Sequence, residues 1–150
     1  MPIYGVLIAP ARREVWSAVR GKGAKLNGKT IIASNRKLIK GARIPADQLL
    51  KNDDLLALVY KPNSIALRMA MVAANEADLL VSARWGNEWD ISAAHLIAQE
   101  AGAFVGNAYG NIISYNKAEA MDFGMICCAP GLREALLKRI KPFIDKIEKK

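Results

Sequence analysis

Residues 88–102 read EWDISAAHLIAQEAG, and this stretch predicts a helix with a carboxylate at its beginning. Asp90 is a suitable N-cap residue, and apolar side chains follow it at helical spacing at positions 91, 94, 97, 98 and 101. Gly102 is typical of the position just after a helix C-terminus. Because the positive end of the helix dipole stabilises an ionised carboxylate, Asp90 is a candidate hard oxygen ligand. A simple capping role is the alternative that the position of Asp90 alone favours.

The elements around this helix alternate between strand and helix patterns. Ser64 is a predicted N-cap for a helix that continues to about Asn75. Further helices are predicted at 46–51 and at 131–149, the second with a bend at Pro142. Strands are predicted at 55–60, 79–82, 103–105, 112–113 and 124–128. The first of these is continuously apolar, as in a strand buried on both faces of a parallel sheet, and the whole order predicts an α/β layer structure.

The beginning of the chain has a different pattern, with short strands and turns. Residues 3–8 and 14–19 predict a β-hairpin, and 29–33 predicts another strand after a glycine-rich turn. The hairpin has the character of a sheet edge whose neighbouring strands are absent. Such an edge predicts either self-association or pairing with a separate amino-terminal piece.

The composition is that of a globular protein with excess positive charge. Of the 150 residues, 52% are hydrophobic, and the formal net charge of +8 favours anionic partners such as phosphate esters, nucleic acids or acidic protein surfaces. No run approaches the roughly 20 apolar residues of a membrane span, and the first residues lack a secretory pattern, so we expect a cytoplasmic protein without a membrane partner. Cys127 and Cys128 are adjacent, which predicts free, buried thiols.

Residues 88–102 resemble the second signature of the inositol monophosphatase family: a Trp-Asp pair, small residues, then a helix that ends in Glu-Ala-Gly. Further matches occur in the family's order along nearly the whole chain, from about Gly5 to Leu137. They are Gly5-Val6, Pro10, Glu14, Ala18, Gly21, Gly23-Ala24, Asn27-Gly28, Asn63-Ser64-Ile65-Ala66, Tyr115-Asn116 and Ala129-Pro130. The resemblance implies the α/β fold of this family, as the C-terminal half of an inositol monophosphatase and fructose-1,6-bisphosphatase-like αβαβα layered sandwich. Residues 1–33 would complete an amino-terminal sheet, and residues 34–150 would form a C-terminal α/β domain.

The same resemblance implies a magnesium-dependent phosphatase that acts on a small phosphorylated substrate. Asp90 would be a ligand of Mg²⁺. Asn63, Ser64 and Ile65 would bind the substrate at a helix start, where backbone N–H groups and a hydroxyl are available. Arg84 would either contact a phosphate or form a surface ion pair, and the sequence leaves both possibilities open.

Several features of the family are missing from this sequence. Its first signature, Asp-Pro-(Ile/Leu)-Asp-Gly-Thr, and an upstream Glu-Glu pair have no counterpart, and Asp53-Asp54 does not replace them. A two-metal phosphatase needs several carboxylates around ions about 3.5–4 Å apart. We therefore expect a chain that is inactive alone and is either homodimeric or associated with the missing amino-terminal half. Ala83 stands where some members have a substrate-contacting Glu, and His95 is expected to be structural or on the surface.

Three functions are compatible with the sequence. The leading one is hydrolysis of inositol monophosphate or a related sugar phosphate by the complete protein. A 3'(2'),5'-bisphosphate nucleotidase of the same family is the second, since Arg84 and the positive charge suit a more anionic substrate. The third is a catalytically inactive, basic interaction module. We do not expect a nucleic-acid partner, because the sequence contains no recognition-helix pattern, zinc motif or aromatic stacking platform.

Overall fold

A computed structural model describes residues 1–46 and 55–148. Within these ranges the chain forms nine strands and three α-helices, with turns of 3-10 helix at Pro10–Arg12 and Pro130–Leu132. In chain order the elements are β1 (Tyr4–Ala9), β2 (Glu14–Val19), β3 (Ala24–Leu26), β4 (Lys29–Ile31), β5 (Ala42–Pro45), β6 (Leu56–Val59), α1 (Ile65–Ala73), β7 (Leu79–Asn87), α2 (Glu88–Glu100), β8 (Phe104–Gly106), β9 (Met121–Cys128) and α3 (Arg133–Glu148). The predicted helix at 46–51 falls, but for Ala46, outside the described residues, as does Asp53-Asp54.

Strands β1 to β4 form an antiparallel sheet in which β1 lies at one edge; we call it the first sheet. Side chains alternate between the two faces of a strand, so Leu7 and its partner Trp16 share one face. This inner face packs against the helices, and Trp16 is fully buried there. Tyr4, Val6 and Ile8 lie on the opposite, outer face and are 63%, 39% and 61% exposed. The first sheet is therefore covered on one face.

A glycine in β1 allows close contact between the first sheet and α2. A Cβ atom at Gly5 would lie 2.9 Å from the carbonyl oxygen of Ala93 and 3.1 Å from its Cα. Real Cβ atoms do not approach backbone oxygen atoms this closely. Because Ala93 has a small side chain and Gly5 has none, the amino-terminal part of α2 lies directly on the sheet.

Strands β7, β9 and β8 form a second antiparallel sheet, in that order, which we call the central sheet. On one face, Met125 and Cys127 of β9 pack with α1 and α2. On the other face, Ile126 and Cys128 pack with α3. The two cysteines are free and buried, as predicted, and burial raises the pKa of the Cys128 thiol to about 12. The predicted mixed α/β layer structure is confirmed.

The remaining strands form a parallel pair, β5 with β6. The predicted strand at 55–60 is confirmed as β6, but its burial on both faces is wrong, because Leu58 is 47% exposed. Among the described residues the pair has two strands, so β6 has one paired neighbour, unlike a strand inside a parallel sheet.

Other differences from the predicted elements are local. β3 forms where the sequence predicted only turns, and residues 112–113, predicted as a strand, lie in a loop. β7 runs to Asn87, five residues beyond the predicted end. Within the described ranges, no helix combines the length and the apolar composition that crossing a bilayer requires.

Candidate metal and substrate site

The candidate site is built where β7 runs directly into α2. The register between β7 and β9 shifts between Ser82 and Trp85, which leaves two residues of β7 opposite Gly124 of β9. This is a β-bulge, a feature that bends a strand and re-aims its side chains. Gly124 has a φ of +71°, and a Cβ atom there would lie 2.7 Å from the carbonyl oxygen of Ser82. Arg84 is one of the two bulged residues, and its side chain is exposed.

Asp90 is the third residue of α2 and is exposed. The prediction that Asp90 caps this helix is wrong, because the helix begins at Glu88 and Asn87 occupies the N-cap position. The side-chain amide of Asn87 donates to Asp90 Oδ2 at 3.3 Å, so the cap residue orients the carboxylate. Asp90 remains in the first turn of α2, at the positive end of the helix dipole.

The predicted substrate residues lie at the start of α1. Ser64 is the N-cap, as predicted, and its Oγ accepts a hydrogen bond from the N–H of Leu67 at 3.2 Å. Because Oγ acts as an acceptor in that bond, the hydroxyl hydrogen can still be donated to a ligand. Asn63 is exposed, and Ile65 is half-buried as the first residue of the helix. Their substrate contacts stay predictions.

Asn63 and Arg84 line a common cleft of about 530 Å³, here called the basic cleft. Its described lining residues include the cationic side chains of Lys61, Arg68, Arg84 and Arg139 and no acidic ones. The apolar part of its wall includes Leu136, Ile140 and Phe143 of α3. The structure thus brings together two of the predicted substrate residues, whereas Asp90 is not among the described residues that line this cleft.

A separate cavity of about 530 Å³, here called the Glu88 cavity, lies beside the first turn of α2. Glu88 and Ser92 both line it, and they share one side of the helix because they are four residues apart. Asp90 lies two residues, about 200°, from each and therefore points away from this cavity. The exposed Trp89 is at its rim.

Glu88 is a buried carboxylate to which sequence reasoning gave no role. The residue is 7% exposed, and its Oε2 accepts from the backbone N–H of Asn116 at 2.7 Å. Its Oε1 is buried without a hydrogen-bond donor among the described residues. The ammonium group of Lys117 lies 3.7 Å from Oε1, but it donates to Asp122 Oδ2 and to the carbonyl of Met121, both at 2.7 Å.

His95 of α2 is hydrogen-bonded to Tyr115 in the loop before β9. Its Nδ1 lies 2.6 Å from the hydroxyl of Tyr115, and the imidazole is buried. Burial, together with the nearby terminal ammonium group, lowers the pKa of His95 to about 4, so the ring is neutral at pH 7. Burial also raises the pKa of Tyr115. The structural role predicted for His95 is confirmed, and the surface alternative is wrong.

The described part of the chain does not contain a complete metal site. In residues 1–46 and 55–148, no cluster of three or more His, Cys, Asp or Glu side chains could hold a metal ion. Mg²⁺ requires near-octahedral oxygen coordination at about 2.0–2.1 Å, usually with one or two protein carboxylates and with water or phosphate. The exposed carboxylate of Asp90 fits as one such ligand, and further ligands must come from elsewhere.

The family model of the inositol monophosphatase family matches residues 1–144. This chain belongs to the inositol monophosphatase family. Members of the family are magnesium-dependent phosphatases. The chain is similar to inositol monophosphatase 3 of Solanum lycopersicum, with 30% identity over 125 residues, 73% of this chain and 47% of the relative. It is also 29% identical to the Nus factor SuhB of Pseudomonas aeruginosa, over 94% of this chain and 56% of the relative.

Solved structures of inositol monophosphatase-fold proteins also superpose on most of this chain. The IMPase of Thermotoga maritima superposes with a TM-score of 0.78 at 24% identity, over 97% of this chain and 58% of that chain. A Pyrococcus horikoshii protein with similarities to inositol-1 monophosphatase gives a TM-score of 0.77 at 27% identity, over 91% and 56%. The chain thus has the inositol monophosphatase fold and spans about half the length of the curated relatives it matches.

Proposed function

We propose that this chain is the C-terminal half of a magnesium-dependent phosphomonoesterase that acts on inositol monophosphate or a related sugar phosphate. The observation that carries the proposal is the placement of Asp90, an exposed carboxylate in the first turn of α2 that is oriented by Asn87. It belongs to a Trp-Asp segment inside the region matched by the family model. The division into residues 1–33 and 34–150 and the cytoplasmic location stay predictions.

The proposed roles follow from the chemistry of each group. When bound, Mg²⁺ neutralises phosphoryl oxygens and lowers the pKa of a coordinated water. Asp90 would contribute one carboxylate ligand on the α2 side of the site. At the start of α1, the Ser64 hydroxyl and the N–H groups of Ile65 and Ala66 would donate to substrate oxygens, because the first N–H groups of a helix have no partner within it and that of Leu67 is already bonded to Ser64.

Substitution of Asp90 tests this proposal in a protein that contains the amino-terminal part as well. Such a protein can be built by fusing the amino-terminal segment of the Thermotoga maritima IMPase ahead of Met1. We expect Asp90→Asn to lower kcat by more than about 100-fold, since even loss of a residue that only orients a metal ligand typically costs about 10–100-fold. Mg²⁺ affinity, measured by titration, should fall in parallel.

The matched control is Asp145→Asn, which changes an exposed acid on α3 in the same way. We expect kcat and Mg²⁺ affinity to stay within twofold of the parent. Near-normal turnover of the Asp90→Asn protein on inositol 1-phosphate, with the fusion folded and active, would contradict the assignment of Asp90.

A bisphosphate nucleotidase is a second candidate, favoured by the basic cleft. Four cationic side chains converge there, and Arg84 lies on the bulge beside α2. In the same fusion, turnover of inositol 1-phosphate is compared with that of adenosine 3',5'-bisphosphate. A preference for the bisphosphate that is lost in Arg84→Ala, but kept in the control Lys138→Ala, would select the nucleotidase.

A further inference from the structure

The β-bulge of β7 brings consecutive residues to the basic cleft. In a regular strand, neighbouring side chains point to opposite faces of the sheet. Ala83 and Arg84 are neighbours, yet both line the cleft, because the bulge breaks this alternation. The bulge requires a glycine opposite it, since a Cβ atom at Gly124 would lie 2.5 Å from the Cβ atom of Ala108. The local fold therefore directs Arg84 into the cleft.

Arg84 carries a charge that the described residues leave unused. Its side chain is exposed, and among the described residues it makes neither a hydrogen bond nor an ion pair. Lys61, Arg68 and Arg139 each already have an interaction partner. A guanidinium group offers five N–H donors in one plane and binds phosphate oxygens in pairs. Arg84 is thus the cation of the cleft that is most available to an anion.

The cations of the cleft come from separate elements of the fold. Lys61 follows β6, Arg68 belongs to α1, Arg84 to β7 and Arg139 to α3. The described lining residues include no acidic side chain. A cleft lined by one sign of charge raises the local concentration of ligands of the opposite sign. Four cations on separate elements suit a ligand with at least two anionic groups.

The apolar wall of the cleft is a stripe of α3. Leu136, Ile140 and Phe143 follow one another at spacings of four and three residues, so they share one side of the helix. Leu136 and Ile140 are buried, whereas Phe143 is 41% exposed. An exposed aromatic ring can stack with the planar base of a nucleotide. The wall therefore suits a ligand that has a planar part as well as its anionic groups.

The size and the remaining polar groups of the cleft also suit a nucleotide. The cleft has a volume of about 530 Å³, and sites for small molecules usually have about 300–1,000 Å³. The amide of Asn63 and the hydroxyl of Ser82 line it, and both groups can donate to and accept from a ribose. A single-stranded nucleic acid stacks successive bases on several aromatic rings. Of the described lining residues, Phe143 alone is aromatic, which favours a single nucleotide.

We infer that the basic cleft binds a nucleoside diphosphate, with its phosphates on Arg84 and the neighbouring cations and its base on Phe143. The side chains themselves hold the phosphates, so binding requires no metal ion. The nucleotide is bound and not cleaved, because none of the described lining residues is a carboxylate that could hold catalytic Mg²⁺. The inference goes beyond the proposed function, since it does not depend on which phosphate ester is hydrolysed.

Calorimetric titration of the 150-residue chain with adenosine 5'-diphosphate in EDTA tests the inference. We expect saturable binding of one nucleotide per chain. Arg84→Ala should weaken binding at least about tenfold, since it removes charge-assisted hydrogen bonds. The matched control is Lys138→Ala, which removes an exposed cation of α3 outside the described lining of the cleft. Its affinity should stay within twofold of the parent.

The position of the base is tested by a second pair of variants. Phe143→Leu keeps an apolar side chain but removes the ring, and it should weaken diphosphate binding at least about fivefold. Tyr4→Leu is the control, because Tyr4 is 63% exposed and lies in the first sheet. Pyrophosphate, which has no base, should bind more weakly than the nucleotide. Its affinity should fall in Arg84→Ala and stay unchanged in Phe143→Leu.

Other outcomes overturn the inference. No binding, or equal binding by the parent and Arg84→Ala, would refute the phosphate site. Pyrophosphate that binds as tightly as the nucleotide would refute the base site, and an oligoadenylate that binds more tightly per chain would identify a nucleic acid as the ligand.

The fused protein separates this inference from the proposed function. If it released phosphate from adenosine 5'-diphosphate in Mg²⁺, and Arg84→Ala abolished that release, the cleft would be a substrate site and the inference would be wrong. Near-normal turnover of inositol 1-phosphate by the Asp90→Asn fusion would contradict the role of Asp90. The same result would leave nucleotide binding in EDTA unaffected, so the two proposals can fail independently.

Discussion

The first sheet and the central sheet use similar strands in different surroundings. Both contain antiparallel strands rich in Val, Ile and other apolar residues. β9 is covered by α1 and α2 on one face and by α3 on the other, and its last six residues are buried. β1 is covered by α2 on one face, and alternate residues are exposed. The composition of a strand therefore does not determine how many layers cover its sheet.

The largest expected effect comes from matched isoleucine substitutions in the two sheets. Ile126 of β9 is fully buried, whereas Ile8 of β1 is 61% exposed. Ile126→Ala should lower the free energy of unfolding by about 4 kcal/mol, because truncation of a buried Ile loses burial and leaves a cavity. Ile8→Ala should cost less than about 0.5 kcal/mol. Urea denaturation of both variants measures the difference, and equal losses would show that the outer face is covered in solution.

The second prediction concerns pH and tests the contact between α2 and the loop before β9. The pKa of His95 is lowered from 6.5 to about 4 in the folded chain, so the unfolded chain binds a proton more readily in this range. The contribution of the neutral His95 ring to the free energy of unfolding is fully present above pH 6.5 and is lost as pH falls towards 4. The shift corresponds to about 3 kcal/mol. His95→Gln can retain a hydrogen bond to Tyr115 but should flatten the dependence of unfolding free energy on pH between 6.5 and 4.

A third prediction addresses the ion pair at the beginning of the central sheet. Burial by itself raises the pKa of Asp78, but hydrogen bonds from Arg43 and Ser34 outweigh it and lower the value from 3.8 to about 2. The contribution of the ionised Asp78 carboxylate to the free energy of unfolding is present above pH 3.8 and is lost as pH falls through 2. We expect about 2 kcal/mol to disappear in this window. Asp78→Asn should remove this acid-dependent loss in calorimetry, and an unchanged pH profile would contradict it.

The smallest effect concerns the contact that joins the two regions. Gly5→Ala places a Cβ atom 2.9 Å from the carbonyl oxygen of Ala93 and should cost about 1–2 kcal/mol, in the lower part of the range of about 1–3 kcal/mol for overpacking. Gly86→Ala is the control, since nothing lies within 4 Å of its added Cβ atom. Denaturation of both variants gives the comparison. Equal stability would mean that α2 can shift away from β1 without loss.

Local signals in the sequence predicted much of the fold. Ser64 as an N-cap, β2 at 14–19 and the buried positions of α2 depend on nearby residues, and each is confirmed. The predicted start of α2 at Asp90 is three residues too late, since Asn87 and Asp90 are both good caps and the choice depends on where β7 ends. The parallel pairing of β5 with β6 depends on contacts between distant segments, which periodicity does not reveal.

The candidate site was predictable only in part for the same reason. Asp90 and Ser64 stand at helix starts, and a helix start has a sequence signature. Glu88 carries no such signature, because its burial arises from Asn116 and Lys117, 28 and 29 positions further along the chain. The grouping of Arg84 with Arg139 in the basic cleft likewise requires α3 to fold back beside β7.

The three tryptophans lie in two different surroundings, so fluorescence can report separately on two regions of the molecule. Trp16 is fully buried on the inner face of the first sheet, while Trp85 and Trp89 are 66% and 69% exposed beside the start of α2. Iodide in solution can reach the second and third indoles but not the first. If the emission of Trp85 and Trp89 becomes protected from quenching by iodide while the emission of Trp16 does not change, the site has closed around these two residues. If iodide begins to quench Trp16, the chain has unfolded. With Trp85→Phe and Trp89→Phe, the two signals can be followed separately without an added label.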